Sequence, residues 1–394
     1  MDALSLGASA SFTAEHADAM TLEVGARAVY PGSMAPHRGL RRPVGATAVV
    51  AFLLAGCAFD PSSQEDRAAS TAILNAAVDF DDKPGCSAAV GVDGRIVWAE
   101  ARGIANLDTA ASLEPSTPMH IASVSKQFTA MAILMLVEQG TLTLDDSPAE
   151  HLDGMPTWAE GLTLRSLMHH TSGITDFLSV ADRTETFGPA PITNADILEF
   201  VRTSPVAQKG SSGSFDYSNT NYTLLADTVT EVTGVPFTEW MQATVFEPLD
   251  LEMRFWPALA SDAAGHVTGP GGFSVVEAGP WTEVGAGGIY TTPSELVRWA
   301  DHIRESSLVR AETFNETLAD AVEVSDEIRY GPGLGVSTDG LLLHPGDGEG
   351  EVAHFEVSAD RHTTVAVACN QKNIDPAGMA ADLQGVWGDS AAGG

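Results

Sequence analysis

The chain has 394 residues, 44% of them apolar, which suits one large domain or two smaller ones and excludes general disorder. Its 53 acidic residues against 20 basic ones give a formal net charge of -33. A surface so acidic repels nucleic-acid phosphates and anionic lipid, and reads as a solubility feature; no nucleic-acid partner is expected. The three cysteines, Cys57, Cys86 and Cys369, form neither a disulfide framework nor a metal cluster.

Residues 38–57, "RGLRRPVGATAVVAFLLAGC", place three arginines before a short uncharged run. That run is too short to span a bilayer, and the pattern is that of a secretory signal. Its end, "LAGC", resembles the lipobox of bacterial lipoproteins, in which the cysteine is lipidated after cleavage. The expectation is a leader over 1–56, with Met34 as its start, a lipid anchor on Cys57, and export across the inner membrane to the cell envelope. Residues 57–84 then hold a tether, "AFDPSSQEDR", and a first helix.

From Gly85 to Asn106 two apolar runs flank Asp93-Gly94, a strong hairpin signal. Residues 123–138 are apolar on nearly every face and predict a buried helix, which Gly140 stops. A helix follows from Leu164 to His170, capped by Thr163, and others over 193–203, 219–233 and 236–246. Gly269 to Gly288 reads as loop and turn. "TTPSELVRWADHI" predicts a helix with Pro293 in its first turn. Three strands follow, "GLLLHPG", "VAHFEVSA" and "TTVAVACN", then a helix near Pro376–Val386 and a tail. Cys86 and Cys369 both fall on strands; they are buried thiols unless those strands pair in an oxidising compartment, and that choice stays open.

Strands, then helices, then strands imply an α/β (α+β) fold, an antiparallel sheet flanked by helices and built from both chain ends (about 85–122 and 285–390). An all-helical insert occupies about 123–284, with the active site at the junction.

The chain has four lysines, Lys83, Lys126, Lys209 and Lys372, and one stands three residues after Ser123. Positions i and i+3 share a helix face, so Ser123 and Lys126 project together from the first turn. Serine needs a base to be nucleophilic, and a lysine serves once desolvation and the helix dipole lower its pKa. Alone this spacing is weak. Its company is Tyr217-Ser218-Asn219 before a helix and His344-Pro345-Gly346 on the last sheet, with "HHTSGI" (169–174) and "GAGGIYTTPSEL" (285–296). In order and spacing these motifs resemble the serine penicillin-recognising hydrolases: class C β-lactamases, D-alanyl-D-alanine carboxypeptidases and related esterases.

The resemblance, from about Gly85 to Asn370, implies that Ser123 is acylated and that Lys126 is its base. It implies that Tyr217 shuttles protons, as a phenolate if the Lys126 charge lowers its pKa, and that Asn219 holds Lys126 and a substrate carbonyl. His344 and Gly346 line the cleft, and the backbone N–H groups of Ser123 and Asp347 form the oxyanion hole. His170 is expected to tie down a turn. His169, His170, His354 and His362 lack any metal-binding pattern, and no cofactor is implied.

A neutral His344, Pro345 and an acidic Asp347 replace the lysine and hydroxyl with which such enzymes hold a substrate carboxylate. The expected activity is therefore that of an esterase or amidase on small-molecule or peptide substrates. A D-Ala-D-Ala carboxypeptidase or β-lactamase is the alternative within the family, and a non-catalytic peptidoglycan-binding scaffold the alternative outside it.

Overall fold

A computed structural model describes residues 61–391, apart from 181–185, 188–190, 209–212 and 277–281. The leader, Cys57 and the tail beyond 391 lie outside the described residues. Helix α1 (Pro61–Ala77) starts inside the stretch expected to be a tether. Strands β1 (Cys86–Val92) and β2 (Arg95–Arg102) form the expected hairpin. Asp93 and Gly94 have φ of 49° and 73°, the two left-handed positions that a tight hairpin turn demands.

Helix α2 (Lys126–Glu138) is buried from Lys126 to Leu136, as its lack of a polar face requires. It ends at Gly140, whose φ of 72° only glycine adopts without strain. Helix α3 (Asn219–Thr233) is likewise buried over its first eight residues and stops at Gly234 in the left-handed region. Helix α4 (Pro293–Arg304) opens with Thr292 accepting the Glu295 N–H and proline in its first turn.

Strands β3 (Val322–Glu323), β4 (Ile328–Tyr330), β5 (Gly335–Ser337), β6 (Leu342–Asp347), β7 (Val352–Val357) and β8 (Thr363–Cys369) complete the sheet. Its order is β3-β4-β5-β6-β7-β8-β1-β2, antiparallel throughout. The N-terminal hairpin thus docks on the last strand, and both parts of the chain build one sheet. The C-terminal helix α5 (Pro376–Ala391) runs five residues past the expected end at Val386.

Two apolar layers sandwich the sheet. On one side α1 and α5 cover β1 and β8 through Leu74, Val365, Val367, Leu383 and Trp387, and Trp387 donates to Ser70 Oγ at 2.9 Å. On the other, α2, α3 and α4 pack around Phe128, Trp299, Phe246 and Phe355 in the larger core. Cys86 and Cys369 stand directly opposite one another on β1 and β8 and form a disulfide, which settles the pairing left open by sequence.

Three expectations fail in detail. The stretch 123–284 is not all-helical, because His266–Gly269 and Gly272–Val275 form a hairpin in what read as loop. The alternation there is hidden by glycines at both ends of the turn. The helix expected over 236–246 is α-helical only from Phe237 to Met241 and widens to a π-turn over Gln242–Phe246. The helix after Thr163 stops at Met168, and His170 takes a φ of 55°.

Candidate active site

Ser123 sits in a short 3-10 turn, Ala122–Ser125, that leads into α2. Ala122 has a φ of 46°, a left-handed conformation costing a residue with a Cβ roughly 1–2 kcal/mol. Strain of this kind lifts the serine out of the helix and aims it at the cleft. The cleft is lined by Ser123, Asn219, Glu283, Ala286, Asp347 and His120, among others.

Lys126 is 0% exposed. Its Nζ lies 3.0 Å from Ser123 Oγ, 2.7 Å from Asn219 Oδ1 and 2.9 Å from the Ala286 carbonyl. Asn219 Oδ1 and the carbonyl can only accept, whereas a hydroxyl can accept or donate. A neutral amine therefore gives its two protons to Asn219 and Ala286, and its lone pair is left facing the Ser123 O–H. Burial pushes the Lys126 pKa down to about 7, against the opposing pull of the Glu283 and Asp176 carboxylates.

Tyr217 donates from its phenol to Ser123 Oγ at 3.0 Å. The expectation of a phenolate fails here. Burial pushes the phenol well above its ordinary value, and Asp176 and Glu283 add to the rise. Tyr217 is a neutral donor.

Asn219 does hold Lys126, and its own Nδ2 donates to Asp176 Oδ2 at 3.1 Å. Glu283 Oε1 accepts from Thr223 Oγ1 at 2.9 Å and from the Ala286 N–H at 3.0 Å, which folds the 283–286 loop so that the Ala286 carbonyl meets Lys126. Asn194 braces the same loop from outside, bonding both the N–H and the C=O of Val284. Burial raises the pKa of Asp176 and of Glu283. Sequence reasoning missed both acids, although Asp176 follows "HHTSGIT" and Glu283 precedes "VGAGG", beside two quoted phrases.

Gly346 lies where a Cβ would stand 2.3 Å from the Ile121 carbonyl oxygen, so only glycine lets β6 close on the Ser123 turn. His344 does not face substrate as expected. Its ring is 2% exposed; Nδ1 lies 2.6 Å from the Pro345 carbonyl, so it must donate, and Nε2 lies 3.0 Å from the Tyr330 hydroxyl. Both nitrogens are used internally, and burial lowers its pKa to about 3. Asp347 also differs from expectation. Its carboxylate is ion-paired with Lys372, which neutralises the charge expected at the cleft edge. His170 accepts the Ser218 N–H at 3.2 Å and packs against Tyr217, Tyr222 and Tyr330, fixing the turn before α3.

Comparison with known proteins speaks to the family and the fold. The family model described as Beta-lactamase matches residues 73–385. A D-aminopeptidase of Brucella anthropi is 31% identical over 304 residues, which cover 72% of this chain and 56% of that protein. The chain spans between 34% and 56% of the length of this and three other curated relatives. Among solved structures, a D-amino acid amidase from Ochrobactrum anthropi SV3 superposes with a TM-score of 0.71 at 20% identity, over 84% of this chain and all of that one. The octameric penicillin-binding protein homologue from Pyrococcus abyssi superposes at 0.70 with 24% identity, over 82% and 77%. At such identities the superpositions speak for the fold alone. The match over residues 73–385 carries the family: this chain belongs to the Beta-lactamase family, whose members include penicillin-binding-protein-like and D-aminopeptidase serine hydrolases.

Proposed function

We propose that the chain hydrolyses small ester or amide substrates through an acyl-enzyme on Ser123. The observation that carries this is the three-way coordination of Lys126 Nζ, which leaves a lone pair for the Ser123 proton. In acylation Ser123 Oγ bonds the substrate carbonyl carbon as its proton passes to Lys126. The oxyanion is met by the N–H groups of Ser123 and Asp347. As the carbonyl-to-leaving-group bond breaks, Tyr217 gives its phenolic proton to the departing nitrogen or oxygen and is resupplied from Lys126. Water then repeats the sequence on the acyl-enzyme and releases the acid.

An amide or ester without a neighbouring carboxylate is favoured over a β-lactam. His344 is neutral and engaged elsewhere, and Lys372, a cation beside that wall, is already paired with Asp347. The D-aminopeptidase relatives point the same way. The test uses a short-chain p-nitrophenyl ester, an amino-acid p-nitroanilide and a chromogenic cephalosporin, each with the protein and its Ser123→Ala variant. Turnover of the first or second that vanishes in the variant, with little cephalosporin turnover, is expected. Fast cephalosporin turnover makes it a β-lactamase, and failure of a fluorophosphonate to label Ser123 makes it a binding scaffold. We further propose, from "LAGC" alone, that Cys57 carries a lipid in the envelope; absence of radiolabelled palmitate from the protein in its native cells would refute this.

A further inference from the structure

His120 stands three residues before Ser123 and took no part in the reaction above. Its backbone lies on the short strand Met119–His120, hydrogen-bonded to Ile289–Thr291. Its ring is wedged between Trp256 at 4.6 Å and Tyr290 at 5.4 Å, so the orientation is fixed by packing. Nε2 lies 3.3 Å from the Gly288 N–H. A backbone N–H can only donate, so Nε2 accepts and carries no proton. Burial holds the imidazole neutral, its pKa lowered to about 4, so the remaining ring proton is on Nδ1.

Nδ1 has no hydrogen-bond partner among the described residues, and the ring lines the same cleft as Ser123. The wall beside it is bare backbone. A Cβ on Gly348 would come within 3.4 Å of Nδ1, and one on Gly287 within 3.9 Å of Nε2. Both positions are glycine, so space remains next to the ring for a ligand atom. The acceptor that suits this donor is uncharged. The Glu351 carboxyl group reaches within 2.9 Å of the same hypothetical Gly348 Cβ, so the surroundings of this donor are acidic rather than cationic.

We propose that His120 is a substrate-recognition residue whose Nδ1–H donates to an uncharged carbonyl oxygen on the acyl part of the substrate. The favoured acyl donors then carry an amide carbonyl near the scissile bond, as N-acylated amino acids do. This rests on the acyl-enzyme reading, and it names the substrate class for that same site. A buried donor left without its acceptor discriminates more strongly than a pocket wall does, because the empty hydrogen bond costs the wrong substrate.

The experiment compares two p-nitrophenyl esters of equal size: N-acetylalanine, as both enantiomers, and the analogue whose acetamido group is replaced by isobutyl. Each is assayed with the protein, His120→Phe and His120→Gln, after melting curves confirm the folds. Phe keeps the stacking and removes the donor; Gln offers an acceptor for Gly288 and a new donor. Expected is a fall in kcat/KM of roughly tenfold for the acetamido ester in His120→Phe, partly restored in His120→Gln, with the alkyl ester within about threefold. Equal losses on both esters would leave His120 a packing residue and overturn the proposal, as would no loss on either.

A second readout does not need turnover. Long-range proton–nitrogen correlation spectra, assigned by difference against His120→Phe, should show Nδ1 protonated and Nε2 bare at neutral pH; a protonated Nε2 refutes the proposal. Failure of the protein to cleave either ester, with Ser123 unlabelled by fluorophosphonate, would instead remove the acyl-enzyme reading and this proposal with it.

Discussion

The two walls of the cleft are built on opposite plans. On the Lys126 wall the groups around the base are met by one another: Lys126 by Asn219 and Ala286, Asn219 by Asp176, Glu283 by Thr223. On the facing side the chain offers glycine backbone at 346 and 348 and one imidazole nitrogen without a partner among the described residues. A buried network is worth its desolvation only when fully satisfied, and then it fixes geometry. The wall that does the chemistry is therefore rigid and finished in the free protein. The other wall is unfinished until a substrate arrives, and selectivity resides there.

Breaking the finished wall should cost most. Ser123→Ala is expected to lower ester turnover by about 10^3-fold or more, read as kcat on protein that melts like the parent. Lys126→Ala should cost nearly as much, and the double variant little more than either, because the pair acts as one unit; additive losses would separate their roles.

Asn219→Ala removes one of the two obligate acceptors of Lys126 and should cost roughly 10- to 100-fold in kcat, with KM changed less. Next comes pH. Lys126 must be unprotonated to accept the serine proton, so kcat/KM should fall about tenfold per pH unit below about 7. Glu283 raises the Lys126 pKa, so Glu283→Gln should move this acid limb to lower pH; a limb that stays put would show Glu283 to be uncharged at the working pH. The smallest effect belongs to the far wall. Lys372→Met frees the Asp347 carboxylate, and a partly exposed pair is worth at most about 1 kcal/mol. A rise in KM of a few-fold for acidic substrates, shrinking with salt, is expected.

The difference between the walls also explains what could be read from sequence. Ser123 and Lys126 were legible from their i, i+3 spacing at the start of an apolar run, although Ser123 itself lies in the 3-10 turn before the helix, and Tyr217 and Asn219 because their motif leads into a helix. The strand run holding His344 was legible too, but not where its ring nitrogens go, since Tyr330 lies fourteen residues away on another strand. The Asp347–Lys372 pair likewise joins the end of one strand to the bend that follows the last strand, Thr363–Cys369. Asp176 and Glu283 sit in loops, where no period announces a side chain's direction. For His120 the deciding contact is with the Gly288 N–H, 168 residues on, and only the folded chain shows which nitrogen is left over.

The disulfide between Cys86 and Cys369 joins positions 283 residues apart. Everything between them, the cleft lining from His120 to Gly348 included, is therefore a closed covalent ring. A protease that cuts one exposed loop of this ring opens it without releasing a fragment. Such nicked protein should run as a single species without reductant and as two with it. With both pieces still bonded across the sheet, it should retain its fold, and its activity if the cut lies away from the cleft.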